Sequence, residues 1–354
     1  MTEATDRPAS HLTLYLPGLF SMQENGHAGG ARLRALETLL SRAEPVDRGL
    51  PQGYEEGLFA LFDLVRQENS DLPVAAVTRM FDMGVIDSDW WLRADPVHLS
   101  FDRDRLILAD AQKLEISPEQ ASRLVAEIME VFTADGWLLK APHPARWYLK
   151  PKRAPQLITS ALSQVVGRDI RGFLPRGPDE KPWQTIMNEI QILLHGSTVN
   201  VEREKEGKLP VNSLWFWGNG RLPRIAPVTW TGVWSNEPVS LSLAKLSGTP
   251  AAGLPENYAD WRRQSEAAGE HLMVLDEAHD ATLYADVPRW QEALGKLETS
   301  WMEPLLRDLK AGALGRVTLI TDDGKGFTIG SGQARRWWRR RRPLASYRGG
   351  HDRS

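Results

Sequence analysis

The sequence contains no cysteine, which removes disulfides, thiolate metal ligands and cysteine nucleophiles from consideration and suits a reducing compartment. It also lacks a run of about 18 uninterrupted apolar residues, roughly the minimum for a spanning helix, so no membrane partner is expected. An excess of one charge is missing too. Forty-three Lys and Arg stand against 46 Asp and Glu, for a net charge of -3, and no global field draws the chain to nucleic acid or anionic lipid. Nor is there a signal-peptide pattern: residues 1–10 are polar and acidic rather than basic, and the apolar run Leu12 to Phe20 is broken by Pro17 and Gly18. These absences lead us to expect a cytoplasmic protein.

What is present is ordinary globular material. The 354 residues, 42% hydrophobic and 25% charged, can bury a large core in one large α/β domain or two average ones. His11 to Leu16 reads as a buried first strand, and a loop with Gly26, Gly29 and Gly30 follows. Arg32 to Ala43 is a helix, with Leu33, Leu36, Leu39 and Leu40 on one face. Candidate strands at Val97 to Phe101 and Leu106 to Leu108 precede a well-signalled helix. Ser117 is its N-cap, Pro118 its first residue and Gln120 the partner in a capping box; Gly136 stops it. A helix over Trp183 to Leu194 and a strand over Ser213 to Trp217 come next, the strand ending in a turn at Gly218-Asn219-Gly220. His271 to Leu275 as strand, Val287 to Leu309 as one long helix and Val317 to Thr321 as the last strand close the chain. Alternating strands and helices predict a mostly parallel sheet covered by helices on both faces.

Residues 199–223 read VNVEREKEGKLPVNSLWFWGNGRLP. This stretch resembles a motif of the archaeal-type, cofactor-independent phosphoglycerate mutases of the alkaline-phosphatase superfamily. Asn200, Arg203, Gly207, Lys208, Pro210, Asn212, Gly218, Gly220 and Pro223 match it. A second stretch, from Trp91 through the capped helix, resembles that family's inserted domain, and Arg93 and Arg146 occupy positions where the family carries basic residues facing the phosphorylated substrate. The chain is also similar to a proteobacterial group, the regulation-of-pathogenicity-factors E-type regulatory proteins. The resemblance implies an alkaline-phosphatase-like core over residues 1–85 and 160–345, an inserted α+β domain over 86–159, and a flexible tail over 346–354. It further implies Arg93, Arg146, Asn200, Arg203 and Asn212 as substrate-binding residues.

The chemistry of that family needs two divalent ions, which lower the pKa of a serine hydroxyl and neutralise phosphate charge in transfer. The family places Asp-Gly after the first strand, where this chain has Pro17-Gly18, and proline offers no ligand. It places Asp-His after the last strand, where this chain has Asp322-Asp323. Asp276 and His279 stand three apart, on an expected loop, where the family has an Asp and a His four apart. Asp276, His279, Asp322 and Asp323 are thus the remnant of a metal site. Ser70, before Asp71, is the candidate nucleophile, although Ser-Asp is also an ordinary loop dipeptide.

The function that follows is a degenerate phosphoglycerate-mutase-like protein with a regulatory or binding role toward a phosphorylated small molecule. No cofactor is expected, with Mn or Zn in its place if the metal site is retained. The alternatives are an active metal-dependent mutase or phosphotransferase with altered ligands, and a nucleic-acid-associated factor. The last rests on Arg335 to Arg342, where six arginines flank Trp337 and Trp338, a pattern suited either to a phosphate backbone or to packing on acidic surface.

Overall fold

A computed structural model describes residues 10–22, 32–47, 49–265 and 268–348. The expected glycine loop at Gly26, Gly29 and Gly30, and residues 349–354 of the expected tail, lie outside the described residues. The chain forms two compact units, Met1–Leu64 with Ile225–Ser354, and Val65–Arg224. Among the described residues the strands are β1 (His11–Tyr15), β2 (Glu44–Val46), β3 (Trp91–Asp102), β4 (Arg105–Ala109), β5 (Leu138–His143), β6 (Arg146–Lys150), β7 (Ser213–Gly220), β8 (Trp230–Trp234), β9 (Ala251–Ala252), β10 (Glu270–Val274), β11 (Arg316–Ile320) and β12 (Gly326–Gly330).

The first unit is α/β. Its seven-stranded sheet has the order β2-β12-β11-β1-β10-β8-β9. β1 pairs in parallel with both β10 and β11, β10 pairs in parallel with β8, and β8 with β9. At one edge β12 pairs antiparallel with β11, and β2 pairs antiparallel with β12. Leu12, Thr13, Leu14 and Tyr15 are buried in succession, and since consecutive side chains of a strand point to opposite faces, both faces of β1 are covered. Leu36 and Leu39 of the helix Arg34–Arg42 join Trp290, Trp301, Leu305 and Leu309 against Leu12, Leu14 and Leu319 in one core.

Two local expectations fail in this unit for identifiable reasons. Val287 to Leu309 is not one regular helix: a π segment, Glu298–Met302, separates Val287–Leu297 from Glu303–Ala311. The wide turn begins at Glu298, whose buried carboxylate accepts hydrogen bonds from the amides of Ala35 (2.5 Å) and Leu36 (2.9 Å). It thereby satisfies the first turn of a helix whose own N-cap position, Leu33, supplies no side-chain bond. Nor is Val317 to Thr321 the last strand, because β12 folds back on it as an antiparallel hairpin.

The second unit carries an antiparallel five-stranded sheet in which β3 pairs with β4, β6 and β7, and β6 with β5. The helix Pro118–Phe132 starts with the capping box expected from Ser117 and Gln120, and buries Ala121, Leu124, Ile128 and Phe132. β7 does not stop at Trp217; it continues through the glycines expected to form a turn. Gly218 has φ +62°, and a Cβ there would lie 2.9 Å from Cβ of Val74, at the start of the helix Val74–Met83. The glycine is needed for that close approach rather than for a reversal of the chain. The unit is wider than the 86–159 segment implied by the resemblance, since that helix and β7 belong to it.

Replacing Ser117 with Ala removes the acceptor for the Gln120 amide. We expect a loss of about 1 kcal/mol in urea unfolding followed by circular dichroism; an unchanged midpoint would contradict the assignment of the cap.

Candidate functional site

Parallel strands deliver their C-terminal ends, and the loops that follow, to one edge of a sheet. In the first unit the loop after β1 carries Leu16, Pro17 and Gly18, that after β10 carries Asp276, and that after β11 carries Asp322 and Asp323. β1 is hydrogen-bonded between β10 and β11, and the ladder continues into these loops: the Leu16 amide donates to the Ile320 carbonyl, and the Leu275 amide to the Tyr15 carbonyl. The remnant residues named from the sequence are therefore brought together, with one correction. Asp276 and His279 do not share a loop; Asp276 is the N-cap of the helix Glu277–Leu283, and His279 lies in its first turn.

The contact that sets the spacing is between Gly18 and His279. Gly18 has φ +77°, and a Cβ there would sit 2.7 Å from Cα of His279, so only glycine fits. Its amide donates to Oδ1 of Asp322 at 3.0 Å, and its carbonyl accepts from Nε1 of Trp290 at 2.9 Å. The other oxygen of Asp322 stands 3.9 Å from Nδ1 of His279. That nitrogen is buried and, among the described residues, has no hydrogen-bond partner. Burial pushes the imidazole down to about 4, so it is neutral at physiological pH.

Three residues not anticipated from the sequence as site residues complete the cluster. The ring of Tyr54 stacks on His279 with centroids 4.2 Å apart and planes 6° apart, and its hydroxyl donates to Oδ2 of Asp276 at 3.0 Å. Tyr15, at the end of β1, donates its hydroxyl to the Tyr54 carbonyl at 2.9 Å, which fixes the start of the helix Tyr54–Ala60. Glu237 follows β8 and caps the helix Pro238–Leu246, accepting from the amides of Val239 (2.8 Å) and Ser240 (2.7 Å). Burial raises its carboxyl to about 7 and raises those of Asp276 and Asp322 as well. The sequence signal for Glu237 was an acidic residue directly before a helix-starting proline, which announces a cap and nothing more. Tyr54 carries no local signal, because its partners come from β1 and from the loop and helix that follow β10.

Asp323 has a different use. It accepts from Oγ1 of Thr321 at 2.5 Å and from Nζ of Lys325 at 2.6 Å. Among the described residues, no three His, Asp or Glu side chains gather as a metal-holding group.

The remaining candidates lie in the second unit. The hydroxyl of Ser70 donates to the Gln67 carbonyl at 3.0 Å. Its neighbour Asp71 is the buried hub there, binding the amides of Thr159 (2.9 Å) and Asn219 (3.3 Å) and the side chains of Thr159, Asn219 and Arg66. Arg93 pairs with Asp95 at 2.8 Å between the rings of Tyr148 and Trp217. Arg146 forms a two-point bond with Asp82 at 2.6 and 2.7 Å, and Tyr148 donates to the same carboxylate. Arg93 and Arg146 are thus assembled around Tyr148, each with its own carboxylate.

Asn200, Arg203 and Asn212 serve a separate purpose. Asn200 donates to the carbonyls of Leu194 and Val211 and accepts from the Val211 amide, all at 2.8 Å. Arg203, fully buried, donates to the carbonyls of Leu209 and Leu114 and to Oε1 of Gln120. Asn212 bonds both the amide and the carbonyl of Leu99 at 2.7 and 2.8 Å. The motif that dominates residues 199–223 therefore ties a helix, a loop and two strands together.

Similarity to known proteins agrees with this frame. A probable 2,3-bisphosphoglycerate-independent phosphoglycerate mutase from Geobacter sulfurreducens is 26% identical over 187 residues, 52% of this chain and 46% of that protein. The corresponding enzyme from Methanosarcina mazei is 37% identical over 60 residues, 17% of this chain and 15% of its own length. The chain is a sequence relative of these mutases. It spans less than half the length of the curated relatives it matches. The PH0037 protein from Pyrococcus horikoshii shares the fold, with a TM-score of 0.53 at 14% identity over 92% of this chain and 88% of that one. A cofactor-independent phosphoglycerate mutase from Thermoplasma acidophilum aligns over 92% and 90% of the two chains at 15% identity, with a TM-score of 0.45. No family model matches the chain.

The donor set can be tested against the two ions that the sequence resemblance implies. Pro17 offers no ligand, Asp323 is held by a lysine, and Asp276 and Asp322 each accept from a protein donor. The donors to Asp276 and Asp322 each engage one carboxylate oxygen, and among the described residues Nδ1 of His279 is the fully buried side-chain atom of this set that has no hydrogen-bond partner. A two-ion centre does not fit these residues as arranged.

Two outcomes follow. Arg203→Ala strands buried carbonyls and should cost about 2–4 kcal/mol in chemical denaturation, a loss that phosphorylated ligands do not restore. Glu237 is protonated in the folded chain up to about pH 7 but ionises near 4.3 when unfolded, so its stabilisation is fully present below about pH 4.3 and is lost as pH rises through 7. Asp276 and Asp322 act in the same direction. Melting temperatures taken at pH 5 and pH 8 should therefore drop, and drop less in Glu237→Gln; an equal drop in both proteins would refute the assignment.

Proposed function

We propose that the chain is a degenerate phosphoglycerate-mutase-like protein that binds a phosphorylated small molecule in a regulatory or binding role, without mutase turnover. One observation carries this reading. At the strand ends where transfer between phosphate oxygens would require free carboxylates around metal ions, the carboxylates are already bound: Asp322 by the Gly18 amide, Asp276 by the Tyr54 hydroxyl, Asp323 by Lys325. The ligand class comes from the mutases to which the sequence is similar. The role itself fits the resemblance to the proteobacterial E-type regulatory proteins, and the cysteine-free sequence suits work in the cytoplasm.

A second reading, an active mutase with an altered ligand set, is favoured by the unpartnered Nδ1 of His279, which remains available to a single ion. The two readings separate in one experiment on the purified full chain. Elemental analysis without chelator should find fewer than about one divalent ion per chain, and added Mn or Zn should give no interconversion of 2- and 3-phosphoglycerate, while 3-phosphoglycerate raises the melting temperature. About two ions per chain together with turnover would overturn the proposal.

A further inference from the structure

The arginine-rich segment after β12 folds back onto the first unit and is held at both ends. Arg335 donates to the Lys310 carbonyl at 2.8 Å, and Arg336 pairs with Glu44 at 3.3 Å. Further on, Arg341 pairs with Glu37 at 3.2 Å, the Arg342 amide donates to Oγ of Ser41 at 2.8 Å, and the Leu344 amide donates to Glu37 at 3.1 Å. Leu344 is buried, and the ring of Tyr347 packs between Phe20 and Phe327. Part of the arginine charge is therefore matched to the protein's own acidic surface.

The rest is not. Between these anchors lies a cavity of about 590 Å³, with Pro45, Phe327 and Tyr347 on its apolar side and Arg339, Arg340 and Arg342 around it. Among the described residues no carboxylate pairs with any of these three guanidinium groups; Arg339 reaches only the Ala43 carbonyl, at 3.4 Å. Three like charges gathered at one opening repel each other, a cost that an anion would remove, and a guanidinium fork matches phosphate oxygens in particular. Beside them Trp337 and Trp338 are 82% and 64% exposed, although ten other tryptophans of this chain are buried. Their rings meet edge to face at 6.2 Å, leaving indole faces open to a planar partner.

We propose that this segment is a binding site for single-stranded nucleic acid, with backbone phosphates at Arg339, Arg340 and Arg342 and unpaired bases stacked on Trp337 and Trp338. Open bases are what exposed indoles can stack on, and a duplex has none to offer. The two exposed tryptophans that directly precede Arg339 in the chain extend the footprint beyond one phosphate, which favours a strand over a lone anion. With a net charge of -3, the attraction is local and confined to this segment. The site shares no residue with the strand-end cluster, so it stands or falls independently of the function proposed above.

Fluorescence anisotropy with a dye-labelled oligothymidylate of about ten nucleotides tests it on the full chain. Binding should weaken with salt at a log-log slope of roughly -2, from about three phosphates at -0.7 each, and should quench tryptophan fluorescence. Arg339→Ala, Arg340→Ala and Arg342→Ala combined should lower affinity tenfold or more and flatten that slope. Trp337→Ala with Trp338→Ala should lower affinity by about fivefold or more while leaving the slope in place. Because the three arginines make no ion pair among the described residues, the triple variant should melt near the parent temperature; should it fail to fold, Arg340→Ala alone must show a reduced slope. Absence of binding at low salt, an unchanged slope in the arginine variants, equal or tighter binding of a duplex, or thymidine monophosphate binding as tightly as the oligomer would each overturn the proposal.

Discussion

The first unit depends on a close approach of two backbones. The loop after β1 meets the first turn of the helix Glu277–Leu283 with no room for a side chain at position 18, and that contact fixes where every group of the strand-end cluster stands. Because Gly18 presents its amide to Asp322 and its carbonyl to Trp290, the same residue that permits the approach also bonds β1's loop to segments from two other parts of the chain. An ion entering there would have to compete with this clamp as well as find ligands. Stacking of Tyr54 on His279 closes the remaining side, and burial keeps the imidazole uncharged.

Burial governs charge throughout the molecule. Asp71, Asp82 and Asp95 of the second unit each collect several donors, which is the condition under which carboxylates tolerate an apolar setting. Burial raises Asp71 and Asp95, whereas at Asp82 the Arg146 fork and the Tyr148 hydroxyl outweigh it and hold the carboxyl below its ordinary value. A phosphate approaching Arg93 or Arg146 must therefore replace a carboxylate rather than fill an empty position. Any affinity there is a difference between two strong pairings.

Local rules made much of the fold legible. The capping box at Ser117, the leucine spacing of the helix Arg34–Arg42 and the β-rich runs of β1, β7, β10 and β11 are all short-range patterns, and each element formed close to its expected place. What could not be read were the elements whose form is dictated by a distant neighbour. The π segment at Glu298 exists beside a cap for another helix, Gly218 stays in a strand because a helix presses on it, and Asp276 begins a helix rather than a loop. The motif at residues 199–223 was visible, but whether Arg203 faces a ligand or three protein acceptors is decided by residues nearly ninety positions away as well as by its neighbours.

By itself the sequence determined the class of the protein: alternating buried strands and amphipathic helices, no thiols, and no apolar run long enough for a spanning helix. These follow from composition and from periodicities of two and about 3.6 residues, which act over a few positions. Only the tertiary structure decided that Pro17, His279 and Asp322 share one edge, that Tyr54 and Glu237 join them, and that four of the six tail arginines lack carboxylate partners among the described residues. Those facts depend on strand order and on contacts between residues tens to hundreds of positions apart, for which a single chain of letters carries no local signal.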